Sequence, residues 1–327
     1  MKKRAGINGF GRFGLHLLKY WLDRNDETSY DVKFINDEIL TINQAIYILN
    51  NDPAVILNKY RIKKIVNKIR FLKPGGESYE IEYSNTSKSQ IPWIGKPDLF
   101  FECSGKNTIK KDCLRYIKGK TKVVMISATS WDADKTFIYG FNNEKYEKKY
   151  KIISYGSCTV NAFVPLGEFM NKLYGIKDAD VSVVHNIQKY RLKDNNTLNR
   201  KFCTLEKSGP QLLRFLNNKN FKVNYTVVPY TGVSMIDFRF RLKKCPSLNQ
   251  FIRSFEQGIY EGKLKGLYNI HEIDRGPEVH NCTPFSAVFI KENLKIVNDQ
   301  IYIFGYFDNE NSVNRYYDLA NYIAQKI

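Results

Sequence analysis

The sequence predicts two α/β units in a chain of 327 residues. The first is a doubly wound parallel sheet over residues 1–157, completed by the terminal helix within 305–327. The second is an α+β unit over 158–304, built on a mainly antiparallel sheet. Three observations carry that expectation. Short apolar runs alternate with helix-period segments through the first half, as in strands joined by crossover helices. A glycine-rich turn separates the first such run from the first helix. Past residue 158, strand-like segments follow one another across polar loops, which favours antiparallel pairing. The length agrees, since single cores stop growing near about 250 residues.

In chain order, Arg4 to Asn8 is the first strand, and Leu15, Leu18 and Trp21 or Leu22 give the next segment one helical face. Val32 to Ile35 is a second strand ending at Asn36-Asp37, followed by a helix from about Thr41 to Leu49. Leu99 to Phe101 and Lys122 to Ile126 read as further buried strands, with a helical stretch near Thr108 to Ile117 between them. Phe163, Leu166, Phe169, Met170 and Leu173 then mark a long amphipathic helix. Asp180 to His185, Asn224 to Pro229, Ser234 to Leu242 and Ala287 to Lys291 are the strands of the second sheet. Val313, Tyr316, Ala320, Ile323 and Ile327 form the buried stripe of a terminal helix. There is no internal repeat and no low-complexity linker.

With 43% hydrophobic and 14% aromatic residues, the composition excludes a mainly disordered chain. No apolar run approaches the roughly 18 residues of a membrane span, and no signal peptide is visible, so a cytoplasmic protein is expected. Six scattered cysteines without a Cys-x-x-Cys pair read as reduced thiols. The net charge of +18 is spread through a Lys-, Asn-, Ile- and Tyr-rich composition. It favours small anions near the surface, and no specific nucleic acid is expected. One alternative of another class stays open, a non-catalytic binder of RNA or another anion; its mark would be a dense basic stripe with interleaved aromatics, and none is found.

Gly9-Phe10-Gly11-Arg12-Phe13-Gly14 follows a strand and opens a helix, and Asp37 follows Gly14 by 23 residues at the end of the next strand. That is the dinucleotide-binding context of the Rossmann fold. Gly9 allows the tight turn, Gly11 lets backbone approach a pyrophosphate, and Gly14 lets helix and strand pack closely. The helix N-terminus presents free N–H groups to the anion. Asp37 would accept the adenosine ribose hydroxyls and repel a 2′-phosphate, so NAD is expected over NADP.

Cys158 sits where a loop enters the long helix, and the N-terminal field there favours its thiolate. His185 closes the run Val181 to Val184 at a strand end. The two make a candidate nucleophile and base. His16 reads as a helix residue, and His271 and His280 as loop residues. Without a second histidine near His185 or a close carboxylate pair, no metal site is expected.

The residues Ile7 to Gly14, Asn36-Asp37, Ile91-Pro92-Trp93 and Glu102-Cys103-Ser104-Gly105 together resemble the glyceraldehyde-3-phosphate dehydrogenase family. So do Ser127-Ala128, Asn143 to Tyr146, Ser157-Cys158-Thr159-x-Asn161, Tyr306 to Glu310 and Asn314-Arg315, in the family's order. The Cys158-to-His185 separation also matches. The resemblance implies that Cys158 is the nucleophile and His185 its base. It places Arg12 and Phe13 at the pyrophosphate, Asp37 at the adenosine ribose, Ser127 at the nicotinamide half and Asn309 at the carboxamide. It implies aldehyde oxidation through a cysteine thioester that inorganic phosphate resolves to an acyl phosphate. Ser157 and Thr159 match the inorganic-phosphate pocket, and Ser208-Gly209 stands where a Thr-Gly pair is usual. A homotetramer is implied, and the short segment from His185 to Ser208 leaves a dimer open.

The pocket for the aldehyde's own phosphate departs from the family. Gln188 stands where a threonine is usual, and Val227-Val228-Pro229 replaces Arg-Val-Pro, which removes a bidentate phosphate donor. Two readings compete. Nearby cations (Lys189, Arg191, Lys193, Arg200, Lys201, Lys207) substitute for the lost arginine, or the aldehyde differs and is not phosphorylated there. Water in place of phosphate would release a free acid.

Overall fold

The computed structural model describes residues 1–53, 57, 59–187, 199–229, 232–307 and 309–327, with the side chains of 309 and 311 outside that description. Gln188, Lys189, Arg191 and Lys193 therefore lie outside the described residues. Two compact units form, one from Met1–Gly156 with Tyr316–Ile327 and one from Ser157–Arg315.

The first unit contains β1 (Lys3–Asn8), α1 (Arg12–Asp23), β2 (Tyr30–Asn36), α2 (Ile42–Asn51), β3 (Arg61–Ile65), β4 (Lys68–Leu72) and β5 (Ser78–Ser84). It continues with β6 (Leu99–Glu102), α3 (Lys110–Cys113), β7 (Val123–Ile126), β8 (Lys135–Thr136) and β9 (Ile152–Ser154). The nine strands run in the order β3-β4-β5-β2-β1-β6-β7-β9-β8. Pairing is parallel throughout except at β3–β4 and β4–β5. This is the expected doubly wound sheet. The order turns at β1, with β2 on one side and β6 on the other, the place where such sheets bind ligands at their carboxyl ends.

Local chemistry explains the boundaries. α2 begins on a capping box, with Thr41 accepting from the Gln44 N–H and the Gln44 side chain accepting from the Thr41 N–H. β6 and β7 are buried along their whole length, because both faces of a central parallel strand are covered. The β3–β5 extension was not foreseen. Its strands are rich in Lys, Arg and Glu, and only Ile69, Phe71, Ile81 and Tyr83 point inward at a period of two. Lysines on the outermost strand β3 suit an exposed edge.

The second unit holds α4 (Cys158–Tyr174), β10 (Ile176–Asn186), α5 (Leu205–Leu212), β11 (Phe221–Val228), β12 (Ser234–Leu242) and α6 (Leu248–Tyr260). β13 (Tyr268–His271), β14 (Ala287–Ile290), β15 (Lys295–Val297) and β16 (Gln300–Phe307) follow, and α7 (Asn309–Ala324) ends the chain. The sheet order is β11-β10-β12-β16-β14-β13, with β15 on β16. It is mixed: four pairs are antiparallel, while β10–β11 and β13–β14 are parallel. Phe163 of α4 packs on Phe221, Phe238 and Phe240 of the sheet, at ring separations of 5.1, 5.9 and 5.8 Å.

Neither histidine expected in a loop is loosely held. His271 ends β13, and His280 lies in a short 3-10 turn, fully buried. The His280 ring stacks on Tyr306 at 4.8 Å and lies 5.0 Å from His271. Burial first, and the neighbouring His271 second, hold its imidazole below the ordinary value; Asp274, which accepts from the Tyr306 hydroxyl, opposes them. The folded chain thus binds this proton less readily than the unfolded chain. The stability His280 contributes is complete above the ordinary imidazole value of about 6.5 and is lost as the pH falls through the lowered one. The thermal midpoint should therefore drop between about pH 7.5 and about pH 5.5, and His280→Phe should shrink that drop. An equal drop in both proteins would assign it to other groups.

Candidate active site

In the first unit, the turn after β1 is built by backbone necessity. Gly9 has φ of +93°, and a Cβ on it would lie 2.3 Å from the Ser104 nitrogen. A Cβ on Gly14 would lie 2.2 Å from the Gly9 carbonyl oxygen, so α1 can pack on β1 only with glycine there. At Gly11, by contrast, a Cβ meets nothing within 4 Å. That open cradle at the N-terminus of α1, which has no side-chain cap and no acidic residue in its first turn, fits a pyrophosphate.

Asp37 lies just past β2 and is buried. Its carboxylate accepts the Phe10 N–H at 2.6 Å on one oxygen, and the Ile39 and Leu40 N–H groups at 2.8 Å on the other. It thus ties the glycine turn to the approach to α2, with acceptor capacity left for a hydroxyl. Arg12 is the first residue of α1, and its guanidinium pairs with Asp52 and approaches His16 Nε2 at 3.3 Å. Phe13 was expected at the pyrophosphate, but its ring packs edge-on against Tyr155 and Tyr316 at 5.6 and 5.2 Å. Its backbone N–H lies in the first turn of α1, where helix donors face an anion. Ser127, just past β7, donates its N–H to the Glu102 carbonyl and hydrogen-bonds the Cys103 thiol.

Beneath the turn lies a group that sequence reasoning missed as a functional support. Glu102 is buried, and its carboxylate accepts from Asn8 (2.8 Å), Asn107 (3.1 Å) and both the N–H (3.0 Å) and hydroxyl of Ser104. Burial still pushes its carboxyl above the usual range. The network joins the carboxyl ends of β1 and β6 and backs the Ser104 backbone against Gly9.

In the second unit, Ser157 caps α4 by accepting the Val160 N–H, and Cys158 is the helix's first residue. Cys158 Sγ lies 3.4 Å from His185 Nε2, across 27 residues of sequence. His185 Nδ1 lies 2.7 Å from the Asn186 carbonyl oxygen. A carbonyl can only accept, so Nδ1 carries a proton, and in the neutral ring Nε2 turns its lone pair toward the sulfur. Asn186 is itself anchored: its N–H donates to Ser234 Oγ at 3.0 Å and its amide to the Gly232 carbonyl.

Aromatic and apolar side chains stand on either side of the imidazole. Tyr225 and Phe307 hold their rings 5.7 and 5.6 Å from it. Val227 is its register partner on β11 and is 8% exposed. Beside the thiol the surroundings are hydroxylic. Ser157 Oγ is 3.2 Å from Thr159 Oγ1 and 2.9 Å from Thr204 Oγ1, the N-cap residue of α5. Thr204 was not foreseen, although it stands one helical turn before Ser208. Ser208 and Gly209 lie inside α5. A Cβ on Gly209 would lie 2.8 Å from the Phe221 ring, so the glycine serves close packing there. Arg200 is held by Glu206 (2.6 Å) and the Val223 carbonyl (3.0 Å). The Asn309 side chain, expected at the carboxamide, lies outside the described residues. Among those residues no cluster of His, Cys, Asp or Glu could hold a metal, and no helix is long and apolar enough to cross a membrane.

A dinucleotide turn on a doubly wound sheet, with a thiol–imidazole pair on a second mixed sheet, defines the class as an NAD-dependent oxidoreductase. No family model matches the sequence. Full-length likenesses do exist. The chain is 26% identical to a cytosolic glyceraldehyde-3-phosphate dehydrogenase of Pisum sativum, covering 100% of this chain and 99% of that one. It is 24% identical to glyceraldehyde-3-phosphate dehydrogenase 1 of Bacillus cereus and 28% to glyceraldehyde-3-phosphate dehydrogenase 3.1 of Caenorhabditis briggsae, each over 99% of both chains. The chain is thus similar to glyceraldehyde-3-phosphate dehydrogenases over nearly its whole length.

The thiol geometry has a direct chemical readout. Burial pushes the Cys113 thiol up to about 12, and those of Cys103 and Cys203 also upward. Cys158, with its imidazole, should alkylate with iodoacetamide ahead of these three at neutral pH, and His185→Ala should slow Cys158 by about tenfold. Mass-spectrometric rates per cysteine measure this; an unchanged Cys158 rate would detach the imidazole from the thiol's reactivity.

Proposed function

We propose that the protein oxidises an aldehyde covalently bound to Cys158, using NAD, and transfers the acyl group to inorganic phosphate. The observation that carries this reading is the 3.4 Å contact between Cys158 Sγ and the lone-pair nitrogen of His185. Nε2 takes the thiol proton, and the Asn186 carbonyl steadies the resulting imidazolium through Nδ1–H. The N-terminus of α4 favours the thiolate. The sulfur then forms its bond to the carbonyl carbon while the imidazolium returns the proton to the carbonyl oxygen. Nε2 removes that proton again as the carbon is oxidised. When bound, NAD supplies the hydride acceptor that leaves the adduct a thioester. Attack by a phosphate oxygen breaks the carbon–sulfur bond, frees an acyl phosphate and restores the thiolate. The hydroxyls of Ser157, Thr159 and Thr204, clustered around the N-cap of α4, would serve as donors for the incoming anion.

Gly9, Gly11, Arg12, Gly14 and Asp37 would hold the dinucleotide, with Ser127 toward its nicotinamide half. The relatives' names support a phosphorylated aldehyde of the glyceraldehyde-3-phosphate kind. Their family supports a homo-oligomer, a tetramer or a dimer, in the cytoplasm. One observation favours a second reading of the substrate. Val227 sits beside His185 where a guanidinium would serve a phosphate, and Tyr225 and Phe307 extend the apolar wall. A different, unphosphorylated aldehyde suits that side.

Rapid mixing with NAD and a panel of aldehydes tests both. A burst of NADH without phosphate, followed by phosphate-dependent turnover, is expected. Cys158→Ser should lose turnover by a factor on the order of 10³ or more. A full burst in Cys158→Ser would reject the nucleophile. Val227→Arg should raise kcat/KM for phosphorylated over unphosphorylated aldehydes by about tenfold. No change in that ratio would remove position 227 from the substrate site.

A further inference from the structure

We propose that Asp52 is a positioning residue for the cofactor's pyrophosphate, acting through Arg12. The inference rests on the NAD reading of the glycine turn and concerns a residue that the turn motif does not contain. Arg12 opens α1, and one of its terminal nitrogens pairs with Asp52 Oδ2, while the other lies 3.3 Å from His16 Nε2. Both side chains of the ion pair are largely shielded, 27% and 20% exposed. Asp52 has its own anchor: it is the C-cap of α2, donating its N–H to the Ile48 carbonyl at 2.8 Å. His16 is fully buried on α1. The guanidinium is therefore gripped from two helices and cannot swing freely.

The fork geometry decides what this grip does. A guanidinium carries five N–H donors in one plane. Asp52 and His16 engage its two terminal nitrogens and so fix the plane of a side chain that starts at the first residue of α1, next in sequence to the open Gly11. An anion arriving at the N-terminus of α1 meets a donor already oriented, so less side-chain freedom is lost on binding. α2 gives the arrangement a second consequence. It starts five residues past Asp37 and ends at Asn51, just before its C-cap Asp52, so one helix of 10 residues links the acid expected at the ribose to the anchor of the arginine expected at the pyrophosphate. The carboxylate of Asp52 also repels an anion, and that repulsion opposes the gain from orientation. The two effects predict opposite signs, and the proposal commits to orientation.

The test uses the full chain and binding alone. NADH affinity is read from its fluorescence, adenosine affinity from competition against NADH, and folding from the thermal midpoint without ligand. Asp52→Asn should weaken NADH by about tenfold, the loss of one charge-assisted contact, and leave adenosine, which has no phosphate, unchanged. Asp52→Glu should recover most of the NADH affinity. Unchanged or tighter NADH binding in Asp52→Asn overturns the proposal, as does an equal loss for adenosine, which would mark a merely structural role. Absence of NADH binding by the unaltered protein would overturn it together with the cofactor reading, so the two failures are told apart.

Discussion

The second unit depends on a carbonyl oxygen facing an imidazole. Because the Asn186 carbonyl can only accept, His185 must carry a proton on Nδ1, and in the neutral ring its other nitrogen must then face Cys158 as a base. Tyr225 and Phe307 hold their rings near the imidazole, and Val227 is its partner on the next strand. The arrangement needs β10 to end at a defined residue. Antiparallel pairing with β12, with Val184 opposite Met235, and parallel pairing with β11, with His185 beside Val227, both set that register. A slip of one residue would turn the imidazole to the opposite face of the sheet. The thiol's position is set independently, by the Ser157 cap that starts α4.

The first unit solves a different problem, how to keep a glycine turn open for an anion without letting it collapse. Three carboxylates do this in different ways. Asp37 ties the turn to the start of α2, Asp52 grips the arginine beside it, and Glu102 holds Ser104 behind Gly9. Glu102 is the costly one, because its burial opposes ionisation and four hydrogen bonds must offset the lost hydration. The chain's surplus of positive charge plays no visible part in these contacts. Many of its lysines and arginines instead make partly exposed pairs such as Lys19–Asp23, Arg70–Glu80 and Arg239–Asp180, each of which contributes little to stability.

Much of the fold was legible because period and punctuation agreed. The central strands read as unbroken apolar runs, and the first turn announced itself by its glycines. The β3–β5 extension escaped notice because its strands show only every second residue to the core, in a stretch crowded with lysine and glutamate. α5 escaped for the opposite reason: Gly209 and Pro210 argue against a helix locally, and only packing on Phe221 explains the glycine. Phe13 shows the same limit at the site, for its half-buried ring packs edge-on against Tyr155 and Tyr316, 142 and 303 positions away.

What the linear order settled by itself was the set of reactive groups and their local settings. A thiol one residue after a serine cap, an imidazole at a strand end and a glycine turn with its acid are short-range features, and short-range backbone rules govern them. Tertiary structure decided which distant groups meet: Thr204 with Ser157, Asp52 with Arg12, Glu102 with Asn8, and Val227 with His185. Those partners lie 40 to 94 positions apart, some on strands whose register depends on the whole sheet, and no local preference encodes such pairings.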